Sequence, residues 1–149
     1  MTIYADPSFL ISYLYRGDTG HLRARQFFRQ RYEETWLTSQ WSAFETINSV
    51  RQICLQRPGP DRSRVEGLRL LFKRLHKTGP FESLRLDLND AVIECAIISS
   101  AFGTAMRSRS ADLLHVALLE QISPDLFVTR DKDQFDLAQA RGFRCHLQP

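Results

Sequence analysis

Short apolar runs that stop at an acid or a polar cluster alternate along this chain with longer stretches of helical spacing. Ile3, Tyr4 and Ala5 suit a buried strand. The run ends at Asp6, because Pro7 removes the amide that a continuing strand would need. Proline in a first helical turn costs little, so a helix over residues 7–15 follows. Beyond the turn Gly17-Asp18-Thr19-Gly20, residues 21–34 read as a helix with Leu22, Phe27 and Phe28 inward and Arg23, Arg25, Arg29 and Arg31 on a basic outer face. Residues 35–38 form a short strand, and Ser39 or Ser42 caps the next helix. That helix carries Phe44, Ile47, Val50 and Cys54 as its apolar stripe, with Glu45, Asn48 and Gln52 on a polar line.

Arg57-Pro58-Gly59-Pro60 ends this helix in a loop. Residues 62–77 form another helix, with Val65, Leu68, Leu71, Phe72 and Leu75 inward and mostly basic residues outward. A brief strand is expected over 83–86. Residues 89–102 are apolar almost all round, the pattern of a helix buried by the sheet or by a second subunit. A basic loop over 103–109 leads to Ser110, which opens a helix packed through Leu113, Leu114, Ala117 and Leu118. Leu126 to Thr129 is a clear strand that again ends in polar residues, Arg130-Asp131-Lys132-Asp133. A helix over about 134–141 is stopped by Gly142, and residues 143–147 add a last strand.

The length, 149 residues, suits one domain spanning residues 1–149. A net charge of +3 comes from an arginine-heavy basic set, with lysine only at Lys73, Lys77 and Lys132. Arginine forks match phosphate oxygens, though charge of this size favours nucleic acid only mildly. Cys54, Cys95 and Cys145 stand far apart and in no metal-ligand spacing, which argues against a disulfide framework or a zinc site and suits a reducing cytoplasm. No apolar run is long enough to span a bilayer, and the start lacks a basic region and is broken by Asp6, so a soluble, cytoplasmic protein without export signal or membrane association is expected.

The recurring chemical event is a carboxylate at a strand end or helix start: Asp6, Glu45, Asp112 and Asp131. Two of them have a plain structural alternative: Asp6 is a preferred helix cap, and Asp112 suits the positive end of a helix dipole. Strands separated by helices form a parallel sheet whose carboxyl ends share one edge, where ligands of open sheets sit. Clustered carboxylates repel until a cation binds. Mg²⁺ or Mn²⁺ prefers oxygen ligands, and two such ions about 4 Å apart can activate water and stabilise the leaving oxygen of a phosphodiester. His115, one turn beyond Asp112 among leucines, reads as a core residue.

In order, Tyr4-Ala5-Asp6-Pro7-Ser8-Phe9-Leu10, Phe44-Glu45-Thr46-Ile47-Asn48, Ser110-Ala111-Asp112-Leu113-Leu114-His115-Val116-Ala117 and Val128-Thr129-Arg130-Asp131 resemble the PIN-domain family, and within it the VapC-type toxin ribonucleases of bacterial toxin–antitoxin pairs. The resemblance covers almost the whole chain. It implies a three-layer α/β/α sandwich with a mainly parallel sheet, Mg²⁺- or Mn²⁺-dependent cleavage of RNA, and a small VapB-type antitoxin that occludes the site. It makes Asp6, Glu45, Asp112 and Asp131 the catalytic, metal-binding quartet, with Asp133 as a second candidate for the fourth place and as a helix cap or outer ligand. Ser8, Asn48 and Thr129 match supporting polar positions, whereas Pro7 stands where Ser or Thr is frequent. Two other readings compete. A catalytically inactive module of the same fold would bind RNA or protein only. A haloacid-dehalogenase-like phosphatase would need an acid two positions after Asp6, where this chain has Ser8.

Overall fold

The computed structural model describes residues 1–55 and 62–149. The expected Arg57-Pro58-Gly59-Pro60 loop lies outside the described residues, as do the side chains of Cys54 and Val65. The elements run β1 (Thr2–Ala5), α1 (Pro7–Leu14), α2 (His21–Arg29), β2 (Thr35–Ser39), α3 (Gln40–Leu55), α4 (Arg62–Thr78), β3 (Phe81–Leu84), α5 (Leu88–Phe102), α6 (Ser110–Ile122), β4 (Leu126–Thr129), α7 (Lys132–Ala140) and β5 (Cys145–Leu147). The strands pair in parallel in the order β3-β2-β1-β4-β5.

Alternation along the strands separates two cores. Ile3, Ala5, Trp36, Leu126 and Val128 face one way and pack with Phe9, Leu10, Tyr13, Phe27 and Phe72 of α1, α2 and α4. Tyr4, Leu37 and Phe127 face the other way, against Ala91, Ile98, Val116, Leu118, Leu119 and Leu137 of α5, α6 and α7. The result is the expected three-layer α/β/α sandwich. Because β2 and β3 extend from one side of β1 and β4 and β5 from the other, strand order reverses between β1 and β4. Such a switch point leaves a crevice beyond the strand ends.

Several local expectations shift. The helix expected over 21–34 closes at Arg29, and the strand expected over 83–86 lies at Phe81–Leu84. Phe44 is 58% exposed, while Ser42, Thr46 and Val50 are the buried line of α3. In α5 only one side packs, through Ala91 and Ile98; Val92, Ile93 and Ile97 are more than half exposed. Among the described residues no helix is long and apolar enough to cross a membrane, and Cys95 and Cys145 are free thiols.

His76 marks where acid will weaken the first core. Its Nδ1 lies 3.0 Å from the Phe72 carbonyl oxygen, and its ring lies 4.0 Å from that of Phe72. Burial holds the imidazole below its usual pKa. The unfolded chain therefore takes up the proton first, and this contribution, present above about pH 6.5, is lost as pH falls. Thermal melts at about pH 7.5 and about pH 5.5 should show a smaller acid-induced drop in Tm for His76→Phe than for the parent.

Candidate active site at the switch point

Asp6 follows β1 directly and is completely buried, with its backbone N–H donating to the Val128 carbonyl of β4 at 3.2 Å. It is also the N-cap of α1, accepting from Phe9 N–H at 2.9 Å. The cap reading and the site reading thus describe one side chain. Ser8 Oγ lies 2.8 Å from both carboxylate oxygens, and Thr129 Oγ1 donates to Oδ2 at 2.8 Å. Burial pushes the Asp6 carboxyl above its ordinary pKa, opposed by these hydrogen bonds and by the charge of His115. Among the described residues no lysine or arginine bonds it.

Thr129 extends the network. Its Oγ1 accepts from Asp131 N–H at 2.9 Å, so one hydroxyl joins the acids that follow β1 and β4. Asp131 caps α7, its Oδ1 accepting from the N–H groups of Asp133 at 2.9 Å and Gln134 at 3.1 Å. The cap role considered for Asp133 thus belongs to Asp131; Asp133 is exposed in the first turn of α7. Gln134 then reaches Asp112, its Nε2 donating to Oδ1 at 3.2 Å, while Asp112 Oδ2 accepts from Arg109 N–H at 2.7 Å and closes the start of α6. A chain of contacts therefore runs from Asp6 through Thr129, Asp131 and Gln134 to Asp112.

Glu45 comes from the start of α3 and accepts from Nε2 of the fully buried His115 on α6. Tyr4 Oη bonds Ser39 Oγ at 2.9 Å and Ser42 Oγ at 2.6 Å, pinning the start of α3 to the central strand; burial pushes the phenol up to about 12. Asn48 is not drawn in, its Oδ1 accepting from Arg51 at 3.0 Å. Gln134 is not foreseen from sequence; His115 is the buried core residue expected, and its bond to Glu45 is the part the sequence does not give. Asp131 and Gln134 do carry the spacing of a capping box, an acceptor followed three residues later by Gln. Nothing in the sequence links Glu45 to a histidine on another helix.

The donors are carboxylate oxygens, the ligand type of Mg²⁺ and Mn²⁺. Among the described residues no three histidine, cysteine or acidic groups converge as a preformed metal site. Mg²⁺ commonly takes only one or two carboxylates and completes its shell with water and substrate phosphate. The residues present fit an ion held in that partly hydrated way.

No protein-family model and no curated protein sequence matches this chain. Solved structures do. The chain is similar to VapC20 of Mycobacterium tuberculosis, a sarcin–ricin loop cleaving toxin, at a TM-score of 0.70 and 13% identity over 95% of each chain. It is similar to a chain of VapBC2 from Rickettsia felis, solved with a promoter DNA fragment, at 0.71 and 9% over 100% of each. FitAcB from Neisseria gonorrhoeae gives 0.66 and 20% over 96% of this chain and 95% of that one. At these identities the likeness is one of fold, and it agrees with the strand order and layers described above: the chain has the PIN-domain fold of the VapC-type toxins.

Proposed function

We propose that this protein is a Mg²⁺- or Mn²⁺-dependent endoribonuclease, the toxin of a VapBC-type toxin–antitoxin pair. The observation that carries this reading is the buried Asp6 carboxylate at the switch point, which no lysine or arginine among the described residues bonds and which is tied through Thr129 and Gln134 to Asp131 and Asp112. Asp6 and Asp112 would hold one ion, with Glu45 and Asp131 holding a second ion or its waters. When bound, the metal polarises a phosphodiester and supplies nucleophilic water at neutral pH. Ser8 and Thr129 keep the Asp6 oxygens oriented, and His115 does the same for Glu45. Single-stranded or looped RNA is the substrate class, because its backbone can be splayed into a crevice.

Partners follow from two surfaces. A cleft of about 540 Å³ between α1, α2 and α4 is lined by Arg16, Arg25 and Arg29 with Leu22, Leu71 and Leu75. An acidic, amphipathic segment of an antitoxin fits that mixture. The exposed Val92, Ile93 and Ile97 of α5 are the face on which a second copy would pack as a homodimer. The cytoplasm, where RNA and reduced thiols coexist, is the proposed location.

The test is incubation of purified protein with a stem-loop RNA in Mg²⁺ or Mn²⁺ and in EDTA. Cleavage with metal and none in EDTA is expected. Equal cleavage in both removes the metal, and RNA bound but intact with metal present favours the inactive binding module.

A further inference from the structure

Arg130 is the first residue past β4, a place where a long charged side chain is free to extend into water. It does not. Its Nη1 donates to Ser12 Oγ of α1 at 2.6 Å and pairs with Asp18 Oδ1 at 2.5 Å, in the turn between α1 and α2. The same Asp18 oxygen accepts from Gly20 N–H at 2.7 Å. The guanidinium lies against Gly20 so closely that a Cβ there would sit 2.6 Å from Arg130 Cζ. Arg130 Nε is buried with no partner among the described residues, so this placement has a desolvation cost that the Asp18 pair must offset.

The consequence appears on the main chain. Arg130 N–H donates to Ser8 Oγ at 2.7 Å. A serine hydroxyl has one proton and two lone pairs. Once a lone pair receives Arg130 N–H, the proton is left for Asp6, whose two oxygens both lie 2.8 Å away. We infer that Arg130 is a positioning residue: latched over Gly20 to Asp18 and Ser12, its side chain fixes the backbone N–H that aims Ser8 at the Asp6 carboxylate. A single Nη1 of the guanidinium carries both bonds, its two protons serving Ser12 Oγ and Asp18 Oδ1.

The functional half of this inference rests on the nuclease reading, so the experiment has two arms. In the first, amide hydrogen exchange is followed at Phe9, whose N–H is bonded to Asp6, in the parent, Arg130→Gln, Arg130→Lys and Gly20→Ala. Faster exchange at Phe9 is expected in Arg130→Gln and Gly20→Ala, with partial recovery in Arg130→Lys, which keeps the charge facing Asp18. Acceleration confined to residues 18–21 overturns the latch. In the second arm, RNA cleavage should show kcat about tenfold lower in Arg130→Gln, with KM within about twofold of the parent. A rise in KM with kcat unchanged overturns the positioning role and makes Arg130 an RNA contact. If the parent itself cleaves no RNA, the nuclease reading fails and the exchange arm alone decides the latch. Should Arg130→Gln not fold by circular dichroism, Asp18→Asn removes the pair with arginine in place, and unchanged Phe9 exchange there overturns the inference.

Discussion

Asp6→Asn will lower RNA cleavage about a thousandfold and leave the fold intact. Asparagine keeps the shape of the side chain, caps helices as well as aspartate, and retains an oxygen for Phe9 N–H. What disappears is the buried negative charge, which among the described residues no lysine or arginine bonds. The new amide protons find acceptors, because the Ser8 and Thr129 hydroxyls each keep a free lone pair after receiving Arg130 and Asp131 N–H. Stability should move the opposite way from activity. Burial raises the Asp6 pKa, so its share of stability is complete below the ordinary carboxylate value of about 3.9 and is lost as pH rises through the folded value. The amide suffers no such loss. At neutral pH in EDTA the Asn variant should melt at or above the parent, and added Mn²⁺ should raise Tm in the parent alone. Cleavage within about tenfold of the parent would move the chemistry away from Asp6.

How much of this was legible depends on what each segment buries. Ile3 to Ala5 and Leu126 to Thr129 lie between two helical layers, so their sequences are nearly continuous apolar runs and both strands are legible in them. β3 is an edge strand with Glu82 and Ser83 exposed, and its pattern is too weak to set its ends; pairing of Phe81 with Trp36 sets them instead. The stripe expected on α3 holds at Ile47 and Val50 and departs at Phe44, for a chemical reason. Its buried line is Ser42, Thr46 and Val50, spaced by four, and the first of these is buried because Tyr4 Oη bonds it. A search for apolar periodicity passes over hydroxyls and chooses Phe44, which is exposed beside Trp41 with the rings 5.6 Å apart.

The candidate site divides in the same way. Asp6, Asp112 and Asp131 stand where chain chemistry puts acids, at N-caps and first turns, so the sequence names them whether or not they act together. Their connection depends on residues from different elements, such as Gln134 reaching Asp112 and His115 reaching Glu45 across 70 positions. No local pattern encodes those contacts. They arise only once α3, α6 and α7 are packed around the sheet.

Thr129→Val should be the most damaging exchange of a residue that carries no charge. Thr129 is fully buried at the end of β4, and its hydroxyl works in both directions, donating to Asp6 Oδ2 and accepting from Asp131 N–H. Valine preserves the volume and the β-branch, so the change isolates the hydroxyl. Asp6 loses a donor to a buried oxygen and Asp131 N–H loses its acceptor, a combined cost of about 2–4 kcal/mol. Urea unfolding should show that loss as a lower midpoint with the same slope. Cleavage should fall about a hundredfold, since both site acids lose their shared support. Thr129→Ser keeps donor and acceptor and gives up only a methyl, so it should cleave nearly as well as the parent. If serine loses as much as valine, packing of the methyl rather than the hydroxyl bridge holds these acids.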